Sequence, residues 1–180
     1  MTDQPSPSSQ SFLTALRTLR QSRRFHDRAI PREDLHEILE VARWTGSSKN
    51  TQPWHLVVVE DRAVNAELAG YGAFTGFLDG VAASIVITLD HDGRSQAYDE
   101  GRISERIMLA AAELGIGSGT AWFSSTEARQ RVRDLLGIPG DRHPWSAVGL
   151  GYTDTTRSQA APSSGRKPLA EIVSWGHYQA

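Results

Sequence analysis

Apolar positions along this chain alternate between helical and strand periods. Phe12, Leu13, Leu16 and Leu19 share one face of a helix predicted over Ser11 to Arg20. Leu35, Ile38, Leu39 and Ala42 give the stripe of a second helix, which starts at Pro31 and reaches Trp44. A strand is predicted from Trp54 to Glu60, a short helix from Arg62 to Ala69, and a Gly- and aromatic-rich loop from Tyr71 to Leu78. Ala83 to Leu89 reads as a buried strand, closed by the polar turn Asp90-His91-Asp92-Gly93. From about Gln96 to Leu114 the pattern is helical. Its part from Ile107 to Ala112 is apolar all round and calls for cover on every side, some of it from a second subunit. No element is assigned to the glycine-rich passage Gly115 to Gly119 or to the apolar Ala121-Trp122-Phe123 behind it. Ser125 or Thr126 caps a helix that runs to Leu136 and stops at Gly137, and a last core strand spans Trp145 to Tyr152.

These elements predict one domain over residues 11–152, preceded by a disordered tail over residues 1–10. A flexible polar linker over residues 153–165 leads to an apolar arm over residues 166–180, which completes the same domain or docks on a partner chain. An undocked tail fits that composition equally well.

Composition narrows the chemistry. With 19 Lys plus Arg against 21 Asp plus Glu, the net charge of −2 offers no bulk field for nucleic acid or an anionic membrane. The absence of Cys excludes disulfides, thiolate catalysis and Cys-based metal sites, and fits a reducing compartment. No apolar run approaches the length of a membrane span and the N-terminus is not signal-like, so a cytoplasmic protein is expected. There is no HExxH, no paired-carboxylate signature, no convincing triad and no complete GxGxxG. His91 between Asp90 and Asp92 is read as a solvated turn, so no metal site is expected.

Two clusters remain. Ser47-Ser48-Lys49-Asn50-Thr51-Gln52-Pro53-Trp54 carries more hydrogen-bonding capacity than a chain reversal requires. In an extended stretch Asn50 and Gln52 point the same way, and their amides match the acceptor–donor edge of a heterocycle such as a flavin pyrimidine. Capping of the preceding helix is the alternative. Arg20, Ser22 and Arg24 alternate, so an extended backbone converges two guanidinium groups and a hydroxyl on one phosphate-sized point. A solvated basic helix end is the alternative there. Trp44, Trp54, Trp122, Tyr71, Phe74 and Phe77 are core candidates; Tyr71, Phe74 and Phe77, or residues near Trp122, are also candidates for a substrate-pocket wall. Arg102, Glu105 and Arg106 read as a self-paired polar helix face.

Leu19-Arg20-Gln21-Ser22-Arg23-Arg24-Phe25, the Ser47 to Trp54 motif and Gly165-Arg166-Lys167-Pro168-Leu169 together resemble the FMN-dependent nitroreductase-like family, in order and spacing, from about Ser11 to Trp175. The resemblance implies an α+β fold with a central, mostly antiparallel sheet flanked by helices. It also implies a homodimer whose C-terminal arm reaches the partner subunit and whose FMN lies at the interface. Arg20, Gln21, Ser22, Arg24 and Arg166 would then hold the FMN phosphate. Ser47, Ser48, Asn50 and Gln52 would face the ribityl chain and ring edge, and Thr120, Ala121 and Trp122 would supply a backbone N–H near flavin N5. Gly46, Gln21 and Thr153 depart from the usual Pro, Arg and Pro of the family. The implied activity is ping-pong hydride transfer from NAD(P)H through flavin N5 to a nitroaromatic, quinone or related conjugated acceptor, with no catalytic side chain demanded. Flavin sequestration without turnover, or a flavin dehydrogenase in biosynthesis, is the alternative.

Overall fold

A computed structural model describes residues 12–153 and 165–178; the tail over 1–10 and most of the linker over 153–165 lie outside the described residues. Among the described residues, five α-helices, α1 (Phe12–Thr18), α2 (Arg32–Arg43), α3 (Arg62–Ala69), α4 (Arg94–Glu113) and α5 (Thr126–Leu136), surround four strands, β1 (Trp54–Val59), β2 (Ala83–Leu89), β3 (Gly117–Trp122) and β4 (His143–Gly151). The sheet order is β1-β2-β4-β3 and every pairing is antiparallel, in line with the expected α+β class.

Helices cover both faces of the sheet, which is why all seven residues of β2 are buried. On one face Leu35, Ile38 and Ala42 of α2 and Ile103, Ile107 and Ala111 of α4 pack on Ile85, Ile87, Val148 and Leu150. On the other, Leu68 of α3 and Ala128 and Val132 of α5 pack with Val86, Ala121, Phe123 and Ala147. Local chemistry sets the helix ends. Asp61 accepts from the N–H groups of Ala63 and Val64 at 2.8 and 3.3 Å to open α3, and Ser125 accepts from Ala128 N at 3.0 Å to open α5. Gly137 closes α5 in the left-handed conformation, φ 65°.

Two features of the fold matter for the site. The glycine-rich passage, left without an element from sequence, enters the edge strand β3 at Gly117, and that strand is paired along its length with β4. A Cβ at Gly119 would lie 2.4 Å from the Ser22 carbonyl oxygen, and one at Gly151 would lie 2.9 Å from the Phe25 ring, so the glycines admit the 22–25 segment against the sheet. The all-apolar half of α4 is covered only in part within the chain: Ile107, Met108 and Ala111 are buried, Leu109 and Ala110 are half-buried and Ala112 is exposed. Helix α1 buries none of its residues, and Phe12 and Leu13 stand 71% and 60% exposed. No described helix is long and apolar enough to cross a membrane.

Candidate functional site

The basic segment leaves α1 and runs along the outer rim of β3. Arg20 donates through Nη1 to the carbonyls of Arg17 and Leu19 at 2.9 and 2.7 Å, neutralising the end of α1. Gln21 Oε1 accepts from both the N–H and the hydroxyl of Thr120, each at 3.2 Å. Ser22 N donates to Ser118 O at 2.6 Å and His26 N to Tyr152 O at 2.8 Å. These bonds lash a segment with no regular structure of its own to the sheet edge. Beside it opens a cavity of about 560 Å³ whose wall includes Arg17, Arg20, Gln21, Arg166 and Glu105. Three guanidinium groups from two distant parts of the chain therefore meet one carboxylate, a cationic excess suited to a phosphate monoester. Ser22 is half-buried, its hydroxyl directed at Gly117, and Arg24 is exposed; neither lines this cavity. Strict alternation over residues 20–24 does not describe the segment, because the neighbours Arg20 and Gln21 both line the cavity while Ser22 and Arg24 do not.

The amide-bearing turn is not extended. Lys49, Asn50 and Gln52 take positive φ values of 52°, 56° and 47°, so Asn50 and Gln52 do not sit in the strand-like register expected of them. Asn tolerates that region, whereas Lys and Gln are strained there by about 1–2 kcal/mol each. The turn is locked by Ser47 Oγ, which accepts from Gln52 N at 2.8 Å. Ser48, Asn50 and Gln52 are exposed, leaving both amides open to a ligand. Within one chain this turn shares no wall residue with the basic cavity. Its approach is set instead by α4: Arg106 donates to Trp44 O at 3.1 Å, and the Arg102 guanidinium fills the space over Gly46. Arg102 also pairs with Asp99 at 3.3 Å, an i,i+3 pair within α4 itself, so the polar face is paired along the helix with Asp99 as the partner of Arg102.

The edge strand distinguishes its own donors. Ser118 O and Thr120 N point outward to residues 21 and 22, while Phe123 N points inward to Trp145 O at 2.9 Å. Even positions therefore face the rim and odd positions face β4. By this parity the Ala121 N–H belongs to the ladder, with its side chain fully buried. Thr120 N–H is occupied by Gln21, and Trp122 directs its N–H outward beside an indole that is 54% exposed.

The three aromatic residues considered for a pocket wall are dispersed. Tyr71 donates to Glu67 at 3.1 Å and lies 4.0 Å beneath the Arg131 guanidinium. Phe77 packs on Phe25, with ring centroids 6.4 Å apart, and over Gly119 and Gly149. Phe74 is 80% exposed. Among the described residues, no group of three or more His, Cys, Asp or Glu side chains could hold a metal.

One group escaped the sequence analysis. Glu100 on α4 is only 3% exposed and accepts a 2.5 Å hydrogen bond from the Ser146 hydroxyl. Burial pushes its carboxyl up from 4.5 to about 7, opposed by the Ser146 bond. The signal was present, since Glu100 occupies the i position of the stripe Ile103, Ser104, Ile107, where a carboxylate is out of place.

The chain matches the family model described as the nitroreductase family over residues 16–74. It is 36% identical over 148 residues to an Archaeoglobus fulgidus protein named "Putative NADH dehydrogenase/NAD(P)H nitroreductase", covering 78% of this chain and 84% of that one. A Thermus thermophilus protein named NADH dehydrogenase is 28% identical, over 90% of this chain and 94% of its own. Among solved structures, an FMN-dependent nitroreductase from Clostridium difficile superposes with a TM-score of 0.80 at 23% identity, covering 92% of this chain and 99% of that chain. The NADPH:FMN oxidoreductase of Vibrio harveyi, complexed with NAD+, also gives 0.80, at 22% identity, over 93% of this chain and 78% of that one. The fold, the ordered motifs and the extent of the archaeal match converge on one conclusion: this chain belongs to the nitroreductase family.

Proposed function

We propose that this protein is an FMN-dependent NAD(P)H oxidoreductase acting on small conjugated acceptors such as nitroaromatics or quinones. The observation that carries the reading is the continuity of the β3 rim. The guanidinium-walled cavity and the outward Trp122 N–H lie along one edge, joined by Gln21. Arg20, Arg166 and Arg17 supply the charge for the cofactor phosphate, and Gln21 holds the segment that carries Arg20. Of the three rim residues considered, Trp122 is the donor left for the ring nitrogen, because Thr120 and Ala121 have theirs committed. When bound, FMN supplies hydride transfer between a reduced nicotinamide and the acceptor, in ping-pong order.

The turn bearing Ser47, Ser48, Asn50 and Gln52 completes the site from a second copy of the chain. Support comes from its exposed amides and from its separation from the basic cavity within one chain. The exposed apolar residues of α1 and of the arm, among them Phe12, Leu169 and Trp175, give such a dimer its contact surface. Phe74, free at the surface, is the aromatic residue best placed to meet an acceptor.

The test combines colour and charge. Purified protein is expected to be yellow and to bleach anaerobically with NADH or NADPH; a flavin that stays oxidised with both would leave a sequestering protein instead. Arg20→Ala combined with Arg166→Ala removes two charge-assisted contacts of about 1.5–3 kcal/mol each and should weaken FMN binding about 100-fold or more. Stoichiometric flavin in that double variant, measured by absorbance ratio, would refute the assignment.

A further inference from the structure

A second concavity lies where the start of α4 passes the ends of β2, β3 and β4. Its volume of about 180 Å³ equals about six water volumes, the scale of a single-ring ligand. Trp122 and Trp145 supply two of its walls, and Glu100 lines it with Leu89. A β-bulge brings Trp145 there: the register passes from Ile87↔Ser146 to Thr88↔Pro144, leaving Trp145 as the extra residue. Bulges re-aim side chains in this way at the margins of sheets.

The electrostatics of the cavity are unbalanced. Glu100 is more than nine-tenths buried and bonded through one oxygen to Ser146, and no cation pairs with it among the described residues. The other titratable groups in the wall are His91 and Asp92, from the turn between β2 and α4; no Lys or Arg lines it. A buried carboxylate without a counter-charge is costly, and a ligand that brings the charge removes that cost. Indole faces favour the same kind of ligand, because the ring quadrupole attracts cations. Trp145 already accepts one, with the Arg129 guanidinium 3.7 Å from its ring centroid, although Arg129 is not a wall residue.

We propose that this cavity binds a small planar organic cation of the aryl-amidinium or arylammonium class, its charge on the Glu100 carboxylate and its ring against the Trp122 and Trp145 indoles. The site shares Trp122 with the rim described above but none of the basic residues, so it stands whether or not FMN is the cofactor.

Benzamidine is the probe and benzamide its neutral isostere, each titrated calorimetrically into the protein as purified, at pH 8 where the Glu100 carboxyl is ionised. One benzamidine per chain is expected, bound at least tenfold more tightly than benzamide. Glu100→Gln should weaken benzamidine at least tenfold and leave benzamide unchanged. Trp122→Leu, at a half-exposed position that folding tolerates, should weaken benzamidine several-fold and decides the matter if the Glu100 variant does not fold. Equal affinity for the two probes, absence of heat at millimolar benzamidine, or undiminished binding in either variant would overturn the proposal. Benzamidine binding should survive in Arg20→Ala/Arg166→Ala, which separates its failure from failure of the flavin assignment.

Discussion

Glu100 carries the clearest consequence at the level of single side chains. Its carboxyl sits at about 7 in the folded chain against an ordinary 4.5, so between those values the folded state holds a proton that the unfolded state has released. Stability therefore falls as pH rises through that interval and stays lower above it, by up to about 3 kcal/mol. Glu100→Gln is expected to remove the slope. Thermal melts at pH 5 and pH 8 check this, and parallel losses in parent and variant would count against it. Gln21 gives a second expectation: Gln21→Ala deletes both bonds to Thr120 and should cost about 1–2 kcal/mol while loosening flavin retention. Chemical denaturation together with flavin titration would reveal either part. Arg20 was singled out by its alternation with Ser22 and Arg24, whereas Gln21 and Arg166 came only from the family resemblance. Glu100 was not legible, because its neighbours in the stripe dominate the pattern and its Ser146 partner lies far along the chain.

Elements with sustained periodicity were readable from sequence, and those that depend on backbone exceptions were not. Helices α2 and α5 and strand β2 show their bounds in apolar spacing and caps. Strand β3 does not, because glycine contributes no hydropathy signal, and its purpose appears only when Ser22 and Phe77 are seen pressed against it. Gly119→Ala should cost about 1–3 kcal/mol, since the added methyl meets a carbonyl that the sheet edge holds in place. The 47–52 turn was misjudged as extended for a related reason: nothing in Lys49 or Gln52 announces a left-handed backbone. Lys49→Gly is expected to stabilise the chain by up to about 1 kcal/mol, visible as a raised Tm. A lowered Tm would mean that the lysine side chain makes up for its strained backbone.

For the molecule as a whole, apolar surface is the issue. Trp175 and Tyr178 are 85% and 90% exposed, and α1 is unburied, which is more than a solitary domain of this size usually leaves to water. The dimer proposed above accounts for both. Deleting residues 166–180 is expected to shift sedimentation toward the monomer and to release flavin with it. Full retention of dimer mass would show that the arm contributes phosphate charge alone. The rim of β3 also bears on handling. Gln21 masks the Thr120 donor; if flavin covers the one at Trp122, as proposed above, a sample that has lost its flavin exposes it as a template for intermolecular strand addition. Turbidity on storage should track fading colour, and replenishing the prosthetic group, more than adding detergent, should keep solutions clear.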